Sequence, residues 1–167
     1  VFLAERADGE FAQRVALKLL RDGFDSDVDV ERFRAERQIL ASLNHPNIAR
    51  LLDGGVTDDG LPYLVLEYVE GEPIDRFCAS RALSTRGRLE LLLEVADAMQ
   101  YAHERSIVHR DLKPSNILVS LGDGEVKLLD FGLARMLEEG VTGEAPPTRT
   151  GHRWMTPEYA APEQVRG

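Results

Sequence analysis

Long apolar runs are missing from this 167-residue chain, as are a second cysteine and any excess of positive charge. The single Cys78 cannot close an internal disulfide, which excludes a cross-linked secreted scaffold, fits a reducing compartment and leaves a small buried hydrophobe as its plainest role. No uninterrupted apolar stretch approaches the roughly 20 residues needed to span a bilayer, and no signal peptide is evident. The expectation is a cytoplasmic segment without membrane contact, with an anchor elsewhere in a parent chain left open. Lys and Arg number 20 against 29 Asp and Glu, a net charge of -9, which argues against a nucleic-acid backbone as partner. Nucleotide binding needs only a few local cations and survives that exclusion. What remains is an ordinary globular mixture, 43% hydrophobic and 29% charged, in a chain sized for about one domain or two small lobes.

Residues 1 to 20 alternate as strands do, with Val15, Leu17 and Leu19 on one face and Ala16, Lys18 and Leu20 on the other; Ala7 to Glu10 reads as the hairpin turn. The spacing of Val30, Phe33, Leu40 and Leu43 predicts a helix, capped by Asp29 and ended at Asn44-His45-Pro46-Asn47. Strands are expected at Ile48 to Leu52 and Tyr63 to Tyr68, around a turn-rich Gly54 to Gly60. From Ser84 to Glu104 the pattern is helical, with so few polar positions that neighbours are expected on most sides. Short strands at Ile117 to Val119 and Val126 to Leu129 flank the turn Gly122-Asp123-Gly124, and 138 to 153 reads as a loop.

Chemistry concentrates in His109-Arg110-Asp111-Leu112-Lys113-Pro114-Ser115-Asn116 and Asp130-Phe131-Gly132, which the predicted strands bring to adjacent ends. Clustered Asp and Asn are also common turn formers. In this order, however, they offer one carboxylate to receive a proton, and an amide oxygen and a second carboxylate for a hard cation. Glu36 falls within the apolar stripe of its helix, three residues after Phe33 and four before Leu40, and an inward carboxylate calls for a cation. Taken singly, Glu36 and the strand residue Lys18 read as solvated surface charges. Their order relative to the two acidic motifs favours a shared site.

These motifs, with Val15-Ala16-Leu17-Lys18 and Met155-Thr156-Pro157-Glu158-Tyr159-Ala160-Ala161-Pro162-Glu163, resemble the eukaryotic-like (Hanks-type) serine/threonine protein kinases. Asn44-His45-Pro46-Asn47-Ile48 and Leu66 to Gly71 look most like the bacterial type. The resemblance implies an α+β, two-lobed protein-kinase-like fold, partial in extent: a small antiparallel sheet lobe with one helix (1–66), a hinge (67–71), and the start of a mainly helical lobe through the activation and A-P-E segments (72–167). Because the family pattern begins before Val1 and continues past Gly167, the Gly-rich loop and C-terminal helices are expected to be absent. An exposed apolar patch and poor solubility are expected with them.

The implied activity is transfer of the γ-phosphoryl group of Mg-ATP to Ser or Thr hydroxyls of a protein substrate. Asp111 is the implied proton acceptor, Lys113 neutralises the transferring group, Lys18 holds ATP phosphates while paired with Glu36, and Asn116 and Asp130 hold Mg²⁺. Val1, Ala16 and Leu118 are implied around adenine, with Glu67 and Val69 supplying backbone contacts and Leu66 limiting pocket depth. Thr156 would support Asp111 and Lys113. Thr148 and Thr150 are the activation-loop phosphorylation candidates, with Arg110 as the phosphate ligand. The alternatives are a pseudokinase-like binding module, inactive as this fragment, and a small-molecule phosphotransferase of related fold; Arg110, Lys113 and the A-P-E segment favour a protein acceptor.

Overall fold

The computed structural model describes residues 1–7, 10–20, 33–34, 37–131 and 156–166. Strands β1 (Phe2–Glu5), β2 (Arg14–Leu19), β3 (Leu51–Val56) and β4 (Pro62–Glu67) form an antiparallel sheet in the order β1-β2-β4-β3. A second antiparallel sheet joins β5 (Gly71–Pro73), β6 (Ile117–Ser120) and β7 (Val126–Leu128). Helices α1 (Ile74–Ser80) and α2 (Thr85–His103) lie between β5 and β6 in the chain, a 3₁₀ turn at Pro114–Asn116 leads into β6, and the short α3 is Pro162–Arg166.

Alternation in β2 survives folding. Its register pairs Ala16 with Leu66 and Lys18 with Leu64, and paired residues share a sheet face. Leu64 and Leu66 line an apolar pocket with Leu40, Leu43, Phe131 and Asp130, so Lys18 stands on the pocket side of the upper sheet. Residues 37–41 are helical, as the stripe requires; the proposed cap Asp29 and the turn residues Asp8 and Gly9 lie outside the described residues.

The third strand corrects the sequence reading. It runs from Leu51 through Gly54 and Gly55 to Val56, whereas Ile48 makes only an isolated parallel bridge to Leu128. Gly54, expected in the turn, pairs with Leu64, and a Cβ there would lie 2.9 Å from the Tyr63 carbonyl oxygen. Glycine admits a close backbone approach inside a strand and is not always punctuation. The turn itself is confined to 57–60, closed by Thr57 N donating to Leu61 O at 2.9 Å, with Gly60 at φ 82°. Gly71 opens β5, and α1 follows it directly.

Ser84 caps α2 by accepting from the Gly87 amide at 3.2 Å. Leu91, Val95, Ala98 and Ala102 form its buried stripe, at spacings of four and three. They join a core with Ile48, Phe77, Val119, Val126, Leu128 and Phe131, while a smaller cluster of Leu20, Phe33 and Leu64 underlies the upper sheet. Leu89, Leu92 and Leu93 are at least half exposed, within one turn of α2. Among the described residues no helix is long and apolar enough to cross a membrane.

Asn47 ties the segment ahead of β3 to the second sheet. Its side chain donates to Val126 O at 2.9 Å and to Glu94 Oε2 at 3.1 Å, Glu94 also accepts from Val126 N at 3.0 Å, and Leu128 N donates to Asn47 O at 2.8 Å. The segment entering the upper sheet is thereby fastened to β7 and α2, directly ahead of Asp130.

Candidate active site

Asp111 sits in the irregular stretch between α2 and the 3₁₀ turn, after Arg110 in a left-handed conformation (φ 67°) that costs a non-glycine residue about 1–2 kcal/mol. Its Oδ2 lies 2.6 Å from Lys113 Nζ and accepts from Asn116 Nδ2 at 3.2 Å. Its Oδ1 accepts from Thr156 N at 3.2 Å and Thr156 Oγ1 at 2.9 Å, and that hydroxyl accepts from Lys113 Nζ at 2.7 Å. Burial pushes the Asp111 carboxyl up, but the Lys113 and Thr156 donors together outweigh it and hold the group below its ordinary value. The result is an ionised, oriented carboxylate able to receive a proton.

His109, buried to 1% exposure, supports this loop from beneath. Burial lowers its pKa and keeps the ring neutral, against the opposing pull of the Leu129 carbonyl and nearby carboxylates. Nε2 donates to Leu129 O at 2.8 Å, which leaves Nδ1 to accept from Asp111 N at 3.4 Å. The ring also packs on Phe131, centroids 4.7 Å apart. One imidazole thus touches both motifs.

Asn116 spends its amide nitrogen on the Asp111 carbonyl (2.9 Å) and carboxylate, leaving its amide oxygen as the remaining acceptor. Leu129 N donates to Asn116 O at 2.9 Å, so Asn116 is held one residue from Asp130 across the β6–β7 ladder. Asp130, itself left-handed at φ 60°, meets Lys18 with 2.8 Å between Oδ2 and Nζ. Among the described residues no group of three or more His, Cys, Asp or Glu is placed to hold a metal. An amide oxygen beside a carboxylate nevertheless suits Mg²⁺, which takes few protein ligands and completes its shell with phosphate oxygens and water.

The expected adenine side is only partly assembled. Ala16 and Leu118 are half-buried; Leu118 pairs with Lys127, whose ammonium reaches Glu67 Oε1 at 3.0 Å. Glu67 Oε2 accepts from Arg50 N at 3.1 Å and Glu67 N donates to Arg50 O at 2.9 Å, so both the side chain and the amide of the glutamate brace the connection. Val69 is half-buried in the irregular stretch after β4. Val1 is 77% exposed ahead of the edge strand β1 and supplies no buried wall here. Glu36, Thr148 and Thr150 lie outside the described residues. Sequence reasoning missed Glu94, Lys127 and Gln164, polar residues whose partners are remote in the chain and which belong to no short motif.

The family model for the protein kinase domain matches residues 3–167. The chain belongs to the protein kinase family. Among curated relatives, serine/threonine-protein kinase PknA of Mycobacterium tuberculosis H37Rv is 41% identical over 169 residues, covering 98% of this chain and 38% of that protein. The probable serine/threonine-protein kinase PknB of Bifidobacterium longum is 38% identical over 170 residues, covering 96% and 24% respectively. Among solved structures, a double-mutant PknI kinase domain of M. tuberculosis superposes with a TM-score of 0.65 at 30% identity, covering 78% of this chain and 53% of that one. The chain therefore spans well under half the length of the two curated relatives, both bacterial, and its two sheets with intervening helices are a partial two-lobed kinase fold.

Proposed function

We propose that this chain is the catalytic segment of a protein serine/threonine kinase that transfers the γ-phosphoryl group of ATP to Ser or Thr hydroxyls of a protein. The observation that carries the reading is the ionised Asp111 carboxylate held between Lys113 and Thr156, beside the Asn116–Asp130 pair. The acceptor hydroxyl loses its proton to Asp111 as its oxygen bonds to the γ-phosphorus, and the bond from that phosphorus to the bridging oxygen breaks to release ADP. Lys113 lies within reach to offset the negative charge of the moving group, and Lys18 serves the phosphates of ATP in exchange for Asp130. A bound magnesium ion, held by Asn116 and Asp130, would neutralise charge on the phosphate oxygens.

In this reading residues 1–66 form the upper lobe, 67–71 the hinge, and 72–167 the beginning of the lower lobe. Val1, Ala16 and Leu118 flank adenine, and the backbone of Glu67 and Val69 contacts it. Glu36 pairs with Lys18 in the active state, and phosphorylation of Thr148 or Thr150 orders the activation loop against Arg110. The setting is cytoplasmic.

The test is phosphate transfer from radiolabelled ATP to a generic protein acceptor by the full-length kinase. Asp111→Asn should lower the rate about 10²–10⁴-fold, the usual weight of a positioned general base. Equal labelling by wild type and variant would remove Asp111 from its role. Nucleotide binding without any transfer by wild type would favour the pseudokinase reading instead.

A further inference from the structure

The peptide unit that joins Arg110 to Asp111 is gripped at both ends. At one end Asp111 N donates to His109 Nδ1 at 3.4 Å. At the other, Gln164 Nε2 donates to the Arg110 carbonyl at 2.8 Å, reaching across 54 positions of sequence. The same amide of Gln164 turns its oxygen to accept from Ala161 N at 3.1 Å, so the side chain is itself fixed at the start of α3. A peptide plane held by both its carbonyl and its N–H is restrained from rotating about the flanking bonds, and those bonds set where the Asp111 side chain leaves the backbone. The need for restraint is local: Arg110, at φ 67°, occupies a region disfavoured for a residue with a Cβ, and such conformations persist only where surroundings over-determine them.

We propose that Gln164 is a positioning residue for phosphoryl transfer, clamping the Arg110 carbonyl so that the Asp111 carboxylate stays aligned with the acceptor hydroxyl. Residues 156–164 then dock on the catalytic loop at two points with separate duties. Thr156 holds the Asp111 carboxylate, and Gln164 holds the backbone from which that carboxylate projects. The proposal rests on the kinase reading above. It adds a residue outside every motif that the sequence had singled out.

The experiment compares Gln164→Glu and Gln164→Met with wild type in the full-length kinase, reading kcat and KM for ATP and for a peptide acceptor, together with the thermal midpoint. Glutamate retains an oxygen for Ala161 N but sets a carboxylate against the Arg110 carbonyl; methionine keeps the length and removes both bonds. Both variants should lower kcat about tenfold to a hundredfold, the scale of an ångström-sized misplacement of a reacting group. Glutamate should be the worse, with KM for ATP within about twofold of wild type because nothing touching the nucleotide has changed. Unchanged kcat in both variants overturns the proposal. So does a fall in kcat accompanied by equal losses of ATP affinity and thermal midpoint, or failure of both variants to fold, since either assigns Gln164 to stability alone. Absence of transfer by wild type would instead defeat the kinase reading itself, so the two failures are distinguishable.

Discussion

The upper sheet and the lower core hold the residues of the candidate site by different means. Lys18 rides on β2, a strand whose neighbour β1 is a mostly exposed edge and whose underlying cluster is the small group Leu20, Phe33 and Leu64. Asp111 and Asn116 are set against β6, β7 and α2, where Val119, Val126, Leu128 and Ala98 are wholly buried. The lysine therefore reaches the site on a lightly packed platform and meets Asp130 through a single ion pair, whereas Asp111 is tied by several bonds to side chains of its own loop and of residue 156. Breaking the Lys18–Asp130 pair would leave the bonds that hold Asp111 in place. The single contact belongs to the upper half and the rigid half is the lower.

The heaviest blow to the rigid half is Leu128→Ala. Removing a wholly buried leucine from the larger core should cost about 2–5 kcal/mol, read as the shift in denaturation midpoint. A loss below about 1 kcal/mol would mean that the lower core is no firmer than the upper sheet. Next is Asn47→Leu, which leaves the Val126 carbonyl without its side-chain donor and Glu94 with one donor fewer; about 1–3 kcal/mol should be lost, with β7 amides exchanging faster than those of β4.

Thr156→Val tests the charge arrangement. With the hydroxyl gone, the Asp111 carboxyl should rise toward its ordinary value, moving the acid limb of the pH–rate profile upward, and kcat should fall about tenfold, in line with loss of a hydrogen bond to a charged group. His109 supplies a pH signature of the lower half. Its pKa is depressed in the folded protein, so the folded state binds fewer protons than the unfolded one in this range. The stability it contributes is complete above the unfolded value of about 6.5 and is lost as pH falls through the folded value. Denaturation midpoints between about pH 8 and about pH 5 should decline in wild type and decline less in His109→Asn. The smallest effect is expected at the other extreme of packing. Leu3→Ala, on the exposed edge strand, should alter stability by no more than about 0.5 kcal/mol.

Much of the site was legible because its members are close in sequence. Asp111, Lys113 and Asn116 fall within six consecutive positions, and β6 and β7 are joined by a short turn, so local geometry alone brings Asn116 near Asp130. Alternation in β2 likewise gave Lys18 its face. The glycines of β3 were misread because composition cannot distinguish a turn from a close approach to Tyr63. The short elements β5 and α1 were missed because Gly71 and Pro73 resemble loop residues until β6 pairs with them. Gln164 carried no signal, since an amide between a glutamate and a valine, just after a proline, reads as ordinary surface.

The sequence by itself determined the chemical inventory and its order: a strand lysine, a loop with a carboxylate, an ammonium and an amide, and a second carboxylate after a strand. Periodicity and motif spacing act over a few residues, so both can be read along the chain. Only tertiary structure decided which charges meet. Lys18 reaches Asp130, Thr156 seats Asp111 and Gln164 grips Arg110 across separations of tens of residues, because the burial of two cores and the pairing of two sheets bring those segments together, and no local pattern encodes that approach.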